Sequence, residues 1–300
     1  MSLLFIGSTV ADVVIRTPRL PSTGEDVNIA SQQVSLGGCA CNAFHTARLT
    51  GSAACTLFSP VGSGVWGEFV RGELRARGVT TPIPPVDEPN GCCYCLVEPD
   101  GERTFLCDHG TEYRFRPEWF SVLDDEVWDG VYLCGLEVEE PTGDTILAWL
   151  EQHPPRRLYF APGPRLIHIR PEKLARLIAL SPVFHLSATE LAQFTHTDDV
   201  ARGAALLHSL TGSAVIVTLG PEGAFLRTEE GEALIPGHPS RVVDTIGAGD
   251  AHIGAVMAAV AEGLPLPRAV ARANRIAAAV VAQSGAQLTD EGWRSIQHTI

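Results

Sequence analysis

The sequence predicts an α/β fold: a mainly parallel central sheet with helices on both faces, and a small β-sheet projecting from it as a lid. Three observations predict it. From Val131 onward, short apolar runs alternate with helix-length amphipathic segments, the rhythm of βα units. Leu3 to Ile6 is a wholly apolar run stopped by Gly7, as suits a strand buried on both faces. Two early strand pairs break that rhythm and alternate polar with apolar residues. They read as a separate sheet, formed from about 12–35 and 90–108, on a single domain spanning 1–300.

Taken in order, Val13 to Ile15 and Asp26 to Ser35 are strands separated by the Pro18–Gly24 turn. Gly37 and Gly38 open a small-residue helix, "CACNAFHTARLTG", which Gly51 closes. Ala54 to Phe58 is a strand, 62–67 a glycine loop, and Val65 to Arg77 a helix. "GCCYCLVEPDGERTFLCDHG" is a hairpin turning at Pro99-Asp100-Gly101. Strands are expected at 130–135, 157–160, 182–186 and 213–218, and helices at 142–152, 171–180, 188–195 and 198–210. A hairpin at 223–235 and two long helices, about 248–262 and 265–283, complete the pattern.

Composition excludes several function classes. A formal net charge of −13 argues against general affinity for nucleic acid or anionic membranes. The one lysine, Lys173, lies in an ordinary helical pattern, so there is no Walker A loop, and pyridoxal phosphate would have no other anchor. No G-x-G-x-x-G follows the first strand, which weakens a dinucleotide-binding oxidoreductase. All eight cysteines fall in the first half, and Cys92 and Cys95 have no second pair at zinc-site spacing. A reduced, cytoplasmic protein is the simplest reading, and the N-terminal "MSLLFIGSTVADVVI" lacks the marks of a signal peptide. His109, His185 and His252 show no ligand spacing, so core or surface roles are expected for them.

The chemistry concentrates in "VVDTIGAGDAHIGAVMAAVAEG", Val242 to Gly263. Gly247, Ala248 and Gly249 leave backbone N–H groups bare where a helix begins, at the positive end of its dipole. Such a turn stabilises a phosphoryl group in transfer. Asp250, beside it, is placed to accept the proton of an attacking hydroxyl. The competing reading makes Asp250 a simple helix cap.

"DTIGAGDAHIG" resembles the C-terminal signature of the ribokinase-like carbohydrate kinases, also called the phosphofructokinase-B family. The resemblance runs the length of the chain and in order. "FIGSTVADVV" resembles the family's first strand and substrate acid, and "PRLPSTGEDV" its lid turn. "SLGGCACNAFHTARLTGS" is similar to the N-terminal signature, and "VGSGVWGEFVRGEL" to the loop and helix after the second core strand. "VTLGPEGAF" resembles the nucleotide-side strand, and "VVAQSGAQL" the closing loop.

The resemblance implies an ATP-dependent phosphotransferase acting on a hydroxyl of a sugar or sugar-like compound, with Mg²⁺ and K⁺ as cofactors. Asp250 would be the catalytic base, and Gly247, Ala248 and Gly249 the anion hole. Asp12, Gly38, Cys39 and Asn42 would meet the acceptor, with Glu137 within reach of it. Ser187, Thr218, Gly220 and Asn274 would serve the nucleotide. Glu190 would organise Mg²⁺ through water. Asp244, Ile246 and Gly285 would form a monovalent-cation site, largely through backbone oxygens. Arg165, in "APGPRL", either approaches phosphates or pairs with an acid. A homodimer through the lid strands is a further expectation.

The sequence departs from the family in places. An Asn-x-x-Glu motif reads "SATE", with Ser187 for the Asn. Cys39 and Val10 stand where ribose-using members carry a Lys and an Asn, so a ribose pocket is not expected. A less polar lining suits a deoxy sugar, a sugar acid or a nucleoside. "YFAPGPR" also lacks the Asn or Asp that many members carry before the proline. The alternatives are a nucleoside kinase of the pseudouridine or adenosine type and, further off, a non-catalytic ligand sensor.

Overall fold

The computed structural model describes residues 1–299. Among the described residues, twelve strands form two sheets. They are β1 (Ser2–Ile6), β2 (Val10–Arg16), β3 (Ser31–Gly37), β4 (Ala54–Phe58), β5 (Cys92–Val97), β6 (Arg103–Asp108), β7 (Gly130–Cys134), β8 (Leu158–Ala161), β9 (Val183–Ser187), β10 (Val215–Thr218), β11 (Gly223–Thr228) and β12 (Gly231–Pro236). The helices are α1 (Cys39–Thr50), α2 (Gly64–Ala76), α3 (Gly135–Glu139), α4 (Gly143–Gln152), α5 (Pro171–Ala179), α6 (Ala188–Thr195), α7 (Val200–Thr211), α8 (Ala248–Ala261), α9 (Leu266–Val280) and α10 (Asp290–Ile296).

The large sheet has the order β12-β11-β10-β9-β8-β7-β1-β4. It is parallel from β10 to β4, and the β11–β12 hairpin closes it antiparallel at one edge. Its central strands β1, β7, β9 and β10 read as largely apolar runs because both faces are covered. Leu3 and Phe5 of β1 enter one core with α1, α8 and α9, while Leu4 and Ile6 enter the other with α4, α6 and α7. Burying each such side chain contributes roughly 1.5–3 kcal/mol over leaving it exposed. Helix α8 is apolar around its whole circumference because it lies between α1 and α9. The ribokinase-like α/β fold expected from the sequence is therefore present.

The small sheet has the order β3-β2-β5-β6. Its centre is a parallel pair, Ala11–Arg16 against Cys92–Val97, flanked by antiparallel neighbours. The two early strand pairs thus join into one lid. The second strand starts later than expected, at Ser31, and continues to Gly37. Helix α3, with five residues, and the 3-10 segments within 111–123 were too short to leave a periodic signal. Helix α9 stops at Val280 instead of running on to 283. Among the described residues, no helix is long and apolar enough to cross a membrane.

Candidate active site

Strand β1 lies between β4 and β7, which the chain reaches by going opposite ways across the sheet. Such a switch point opens a crevice beyond the carboxyl ends of the strands. Gly7 to Thr9 after β1, Gly135 after β7, Ser187 ending β9 and Thr218 ending β10 all lie at that edge. The lid rises from the same place, because β2 begins at Val10.

Gly247 caps the N-terminus of α8 with φ +73°, and no side chain caps this helix. A Cβ at Gly247 would collide with the Ala286 backbone, reaching its Cα at 2.7 Å, so this turn demands glycine. Nothing lies within 4 Å of the place a Gly249 Cβ would take, so the uncapped amides open onto free space. Asp250 is not the cap: it is the third residue of α8, and its Oδ2 accepts a hydrogen bond from Asn42 Nδ2 at 3.0 Å.

Asn42 is itself oriented. Its Oδ1 accepts from Gln287 Nε2 at 3.0 Å, and Gln287 Oε1 accepts from Arg77. This chain from Arg77 to Asp250 fixes which way the Asn42 amide points, so Asn42 presents its donors to the carboxylate. Sequence reasoning had singled out Asn42 for the acceptor and missed Gln287; its presence in "VVAQSGAQL" was the one available signal.

Burial pushes the Asp250 carboxyl up to about 7, opposed by the Asn42 and Cys39 contacts and reinforced by the charges of Glu137 and Glu190. Asp12 is likewise pushed up to about 7, by burial first and then by Asp250 and Cys107. Both acids are half-buried, and Asp12 feels the charge of Asp250. Asp12 fits because Gly37 has no side chain: a Cβ there would strike its carboxylate. Gly38, at φ +98°, lets α1 begin against the Ser8 carbonyl. The Cys39 thiol is raised well above its usual range, by Cys134 first and burial second, and is a neutral neighbour of Asp250.

Glu137 is fully buried, with Oε1 accepting from Ser8 N at 2.8 Å at the end of β1, while its Oε2 has no partner among the described residues and its charge is felt by Asp250. Burial raises its carboxyl. Its short helix α3 is held by the buried Lys173, whose Nζ donates to the carbonyls of Val138 at 2.9 Å and of Glu140. The sole lysine is therefore a structural cap. Arg165 pairs with Glu139, Nε to Oε2 at 2.7 Å, the acid contact that was one of its two readings.

On the other side of α8 lies a cavity of about 530 Å³, lined by Thr218, Gly220, His238, Ala248, Gly249, His252, Asn274 and Ala277 among others. Its size and largely apolar wall suit a nucleotide, and it reaches the uncapped start of α8 at Ala248 and Gly249. Asn274 lines it, but its amide is spent. Nδ2 donates to the carbonyls of Ile235 and Pro236 at 3.1 and 3.0 Å, and Oδ1 faces His252 Nε2 at 3.0 Å. His252 Nε2 must then donate, and its Nδ1 accepts from His185 Nε2 at 2.8 Å. Burial keeps both imidazoles neutral, with His252 pushed down to about 4.

Ser187 and Glu190 form a capping box on α6: Ser187 Oγ accepts from Glu190 N at 3.2 Å, and Glu190 Oε2 accepts from Ser187 N at 2.9 Å. One Glu190 oxygen remains outside the box, and burial raises this carboxyl. Among the described residues, no three His, Cys, Asp or Glu side chains cluster at metal-ligand spacing.

Asp244 leads into the glycine turn that opens α8. Its Oδ1 accepts from Ile246 N at 2.9 Å and from Arg103 Nη2 at 2.6 Å, and its Oδ2 accepts from Gly285 N at 3.2 Å. Asp244, Ile246 and Gly285 are thus brought together as expected, around a carboxylate that already holds a guanidinium.

Residues 1–292 match the pfkB family carbohydrate kinases. The chain belongs to this family. It is 34% identical over 288 residues to the uncharacterised sugar kinase YegV of Escherichia coli K12, covering 95% of this chain and 89% of that one. Its fold is similar to the crystal structure of ribokinase from Thermotoga maritima, with a TM-score of 0.85 at 21% identity, covering 99% and 98% of the two chains. The adenosine kinase of Sinorhizobium meliloti is as similar, with a TM-score of 0.85 at 20% identity over 99% of each chain. This pfkB kinase is accordingly an ATP-dependent phosphotransferase with an alcohol group as acceptor.

Proposed function

We propose that this kinase moves the γ-phosphoryl group of ATP to a hydroxyl of a sugar or sugar-like acceptor, with Asp250 as the base. The observation that carries the reading is the Asp250 carboxylate itself. It sits beside the uncapped start of α8, is steered by Asn42, and adjoins the cavity that reaches Ala248 and Gly249. The acceptor lies between Asp12 on the lid and Asp250. The phosphates lie on the amides of Gly247 to Gly249, with the nucleoside toward Thr218, Gly220 and Asn274. Ser187 acts on this side through the capping box that sets Glu190.

Mg²⁺, when bound, neutralises phosphate charge. Glu190 would hold it through water, using the oxygen left over from its capping box, which fits an ion coordinated mostly by phosphate and water. Lid closure excludes water as a competing acceptor.

The acceptor class is tested by ADP release with a panel of aldoses, deoxy sugars, sugar acids and nucleosides. A sugar-type acceptor is expected to stimulate ADP release. Stimulation by nucleosides alone would favour the second reading, which Cys39 and Val10 support by making the lining less polar. ATP binding with no stimulated turnover would mark a sensor.

We also propose that the enzyme works in the cytoplasm, with its eight cysteines free, and pairs through its lid. Phe105 and Leu106 are exposed on β6, an edge strand that a second copy can extend. Light scattering is expected to give twice the 32.1 kDa chain mass; a monomer at micromolar concentration would contradict this.

A further inference from the structure

We propose that the Arg103 guanidinium takes the place of the monovalent cation beside Asp244, so that the anion-hole loop is set without K⁺. The inference rests on the kinase reading only in using a nucleotide as one of its probes.

Asp244 is 8% exposed, and every donor on its carboxylate is an N–H group: Ile246 N, Gly285 N and Arg103 Nη2. Arg103 Nη1 also donates to Thr245 Oγ1 at 3.0 Å, so one guanidinium spans two consecutive residues of the loop. A buried carboxylate with a guanidinium in contact offers little attraction to a second cation, which would meet the positive charge at close range. The surrounding charge points the same way. The hollow between the lid and loop 284–287 is lined by Arg16 and Arg77, with Asp244 its one acid. The Asp244 side chain is thus already taken, and the positive charges of Arg103, Arg16 and Arg77 disfavour a monovalent cation at the backbone oxygens of this loop, so the residues present do not fit one.

The contact matters because of where the loop leads. Asp244 joins the 244–246 turn to Gly285, and Gly247 packs on Ala286, so the same few bonds hold the amides of the anion hole. A cation bridging these two loops would do this work. Arg103 does it from β6, and the lid therefore touches the phosphoryl end of the site directly. Arg103 is a positioning residue.

Two readouts test this. The affinity for Mg²⁺ and a non-hydrolysable ATP analogue is measured by calorimetry in potassium and in tetramethylammonium chloride at equal ionic strength, and the melting temperature is measured in both salts without nucleotide. For the wild type, neither quantity is expected to depend on the cation. Arg103→Gln is expected to bind the analogue about tenfold more weakly in tetramethylammonium, the cost of losing charge-assisted bonds, and to regain part of that in potassium. Arg103→Lys, which keeps the charge but cannot span both residues, is expected to lie between wild type and Arg103→Gln in tetramethylammonium and to respond little to potassium. A wild type that binds or melts with a clear preference for potassium overturns the proposal, as does an Arg103→Gln variant equal to wild type in both salts. If Arg103→Gln does not fold, the two wild-type comparisons and Arg103→Lys still decide. Absence of nucleotide binding in either salt would sink the kinase reading, leaving the melting comparison to judge this one.

Discussion

Replacing Asp250 by asparagine is expected to lower kcat by about 10²–10⁴-fold while leaving nucleotide affinity close to wild type. The two side chains are isosteric, and the amide oxygen of the variant can still accept from Asn42. The geometry seen at 3.0 Å is thus retained and only the proposed proton acceptor is lost. The proposed nucleotide contacts come from the helix start and the adjoining cavity, which the substitution leaves alone. Loss of ATP binding in step with turnover would mean that Asp250 shapes the site instead of acting in it. Stability separates the two cases. The folded carboxyl is raised to about 7 from an ordinary 3.8, so between those values the native state holds a proton that the unfolded chain has released. Stability therefore falls as pH rises from about 4 to 7 and stays reduced above it. Asp250→Asn removes that cost, so its melting temperature at pH 8 is expected to equal or exceed wild type while its turnover collapses.

Alanine in place of Gly247 is expected to lower kcat by about 10²–10³-fold, the usual loss when a transition-state donor is displaced. Here the cause is steric. The position has φ +73°, and a Cβ collides with Ala286, so the turn must shift and carry the bare amides with it. Gly249→Ala is the contrast: its Cβ meets nothing within 4 Å, so this variant is expected to melt near the wild-type temperature. Circular dichroism melts and steady-state kinetics on both variants check the pair. Near-normal turnover in Gly247→Ala would show that the amides of this turn do not carry the phosphoryl group.

Much of this was legible because it is local. The βα rhythm, the apolar β1, the glycine turn and the α8 run are each patterns of neighbouring residues, and burial on two faces makes them uniformly apolar. What was not legible is long-range. The parallel β2–β5 pair joins Ala11 to Cys92, and no local signal reports such pairing. The Arg77–Gln287–Asn42 chain joins three segments through single polar side chains. The burial of Glu137 depends on α3 lying against Gly7 and Ser8. The contact between Arg103 and Asp244 depends on how the lid sits on the sheet. "SATE" carried a second meaning that was readable: S-x-x-E is also a capping-box spacing, and the box forms.

The central claim is that the ionised Asp250 carboxylate takes the proton of the acceptor hydroxyl as the phosphoryl group leaves ATP. Its most direct test is single-turnover phosphoryl transfer from bound ATP, followed across pH in wild type and Asp250→Asn with the acceptor found by the panel. The wild-type rate is expected to rise through an ionisation near 7, and the variant to be slow at every pH and to lack that rise. Equal rates in the two proteins, or the same pH profile in both, would contradict the account.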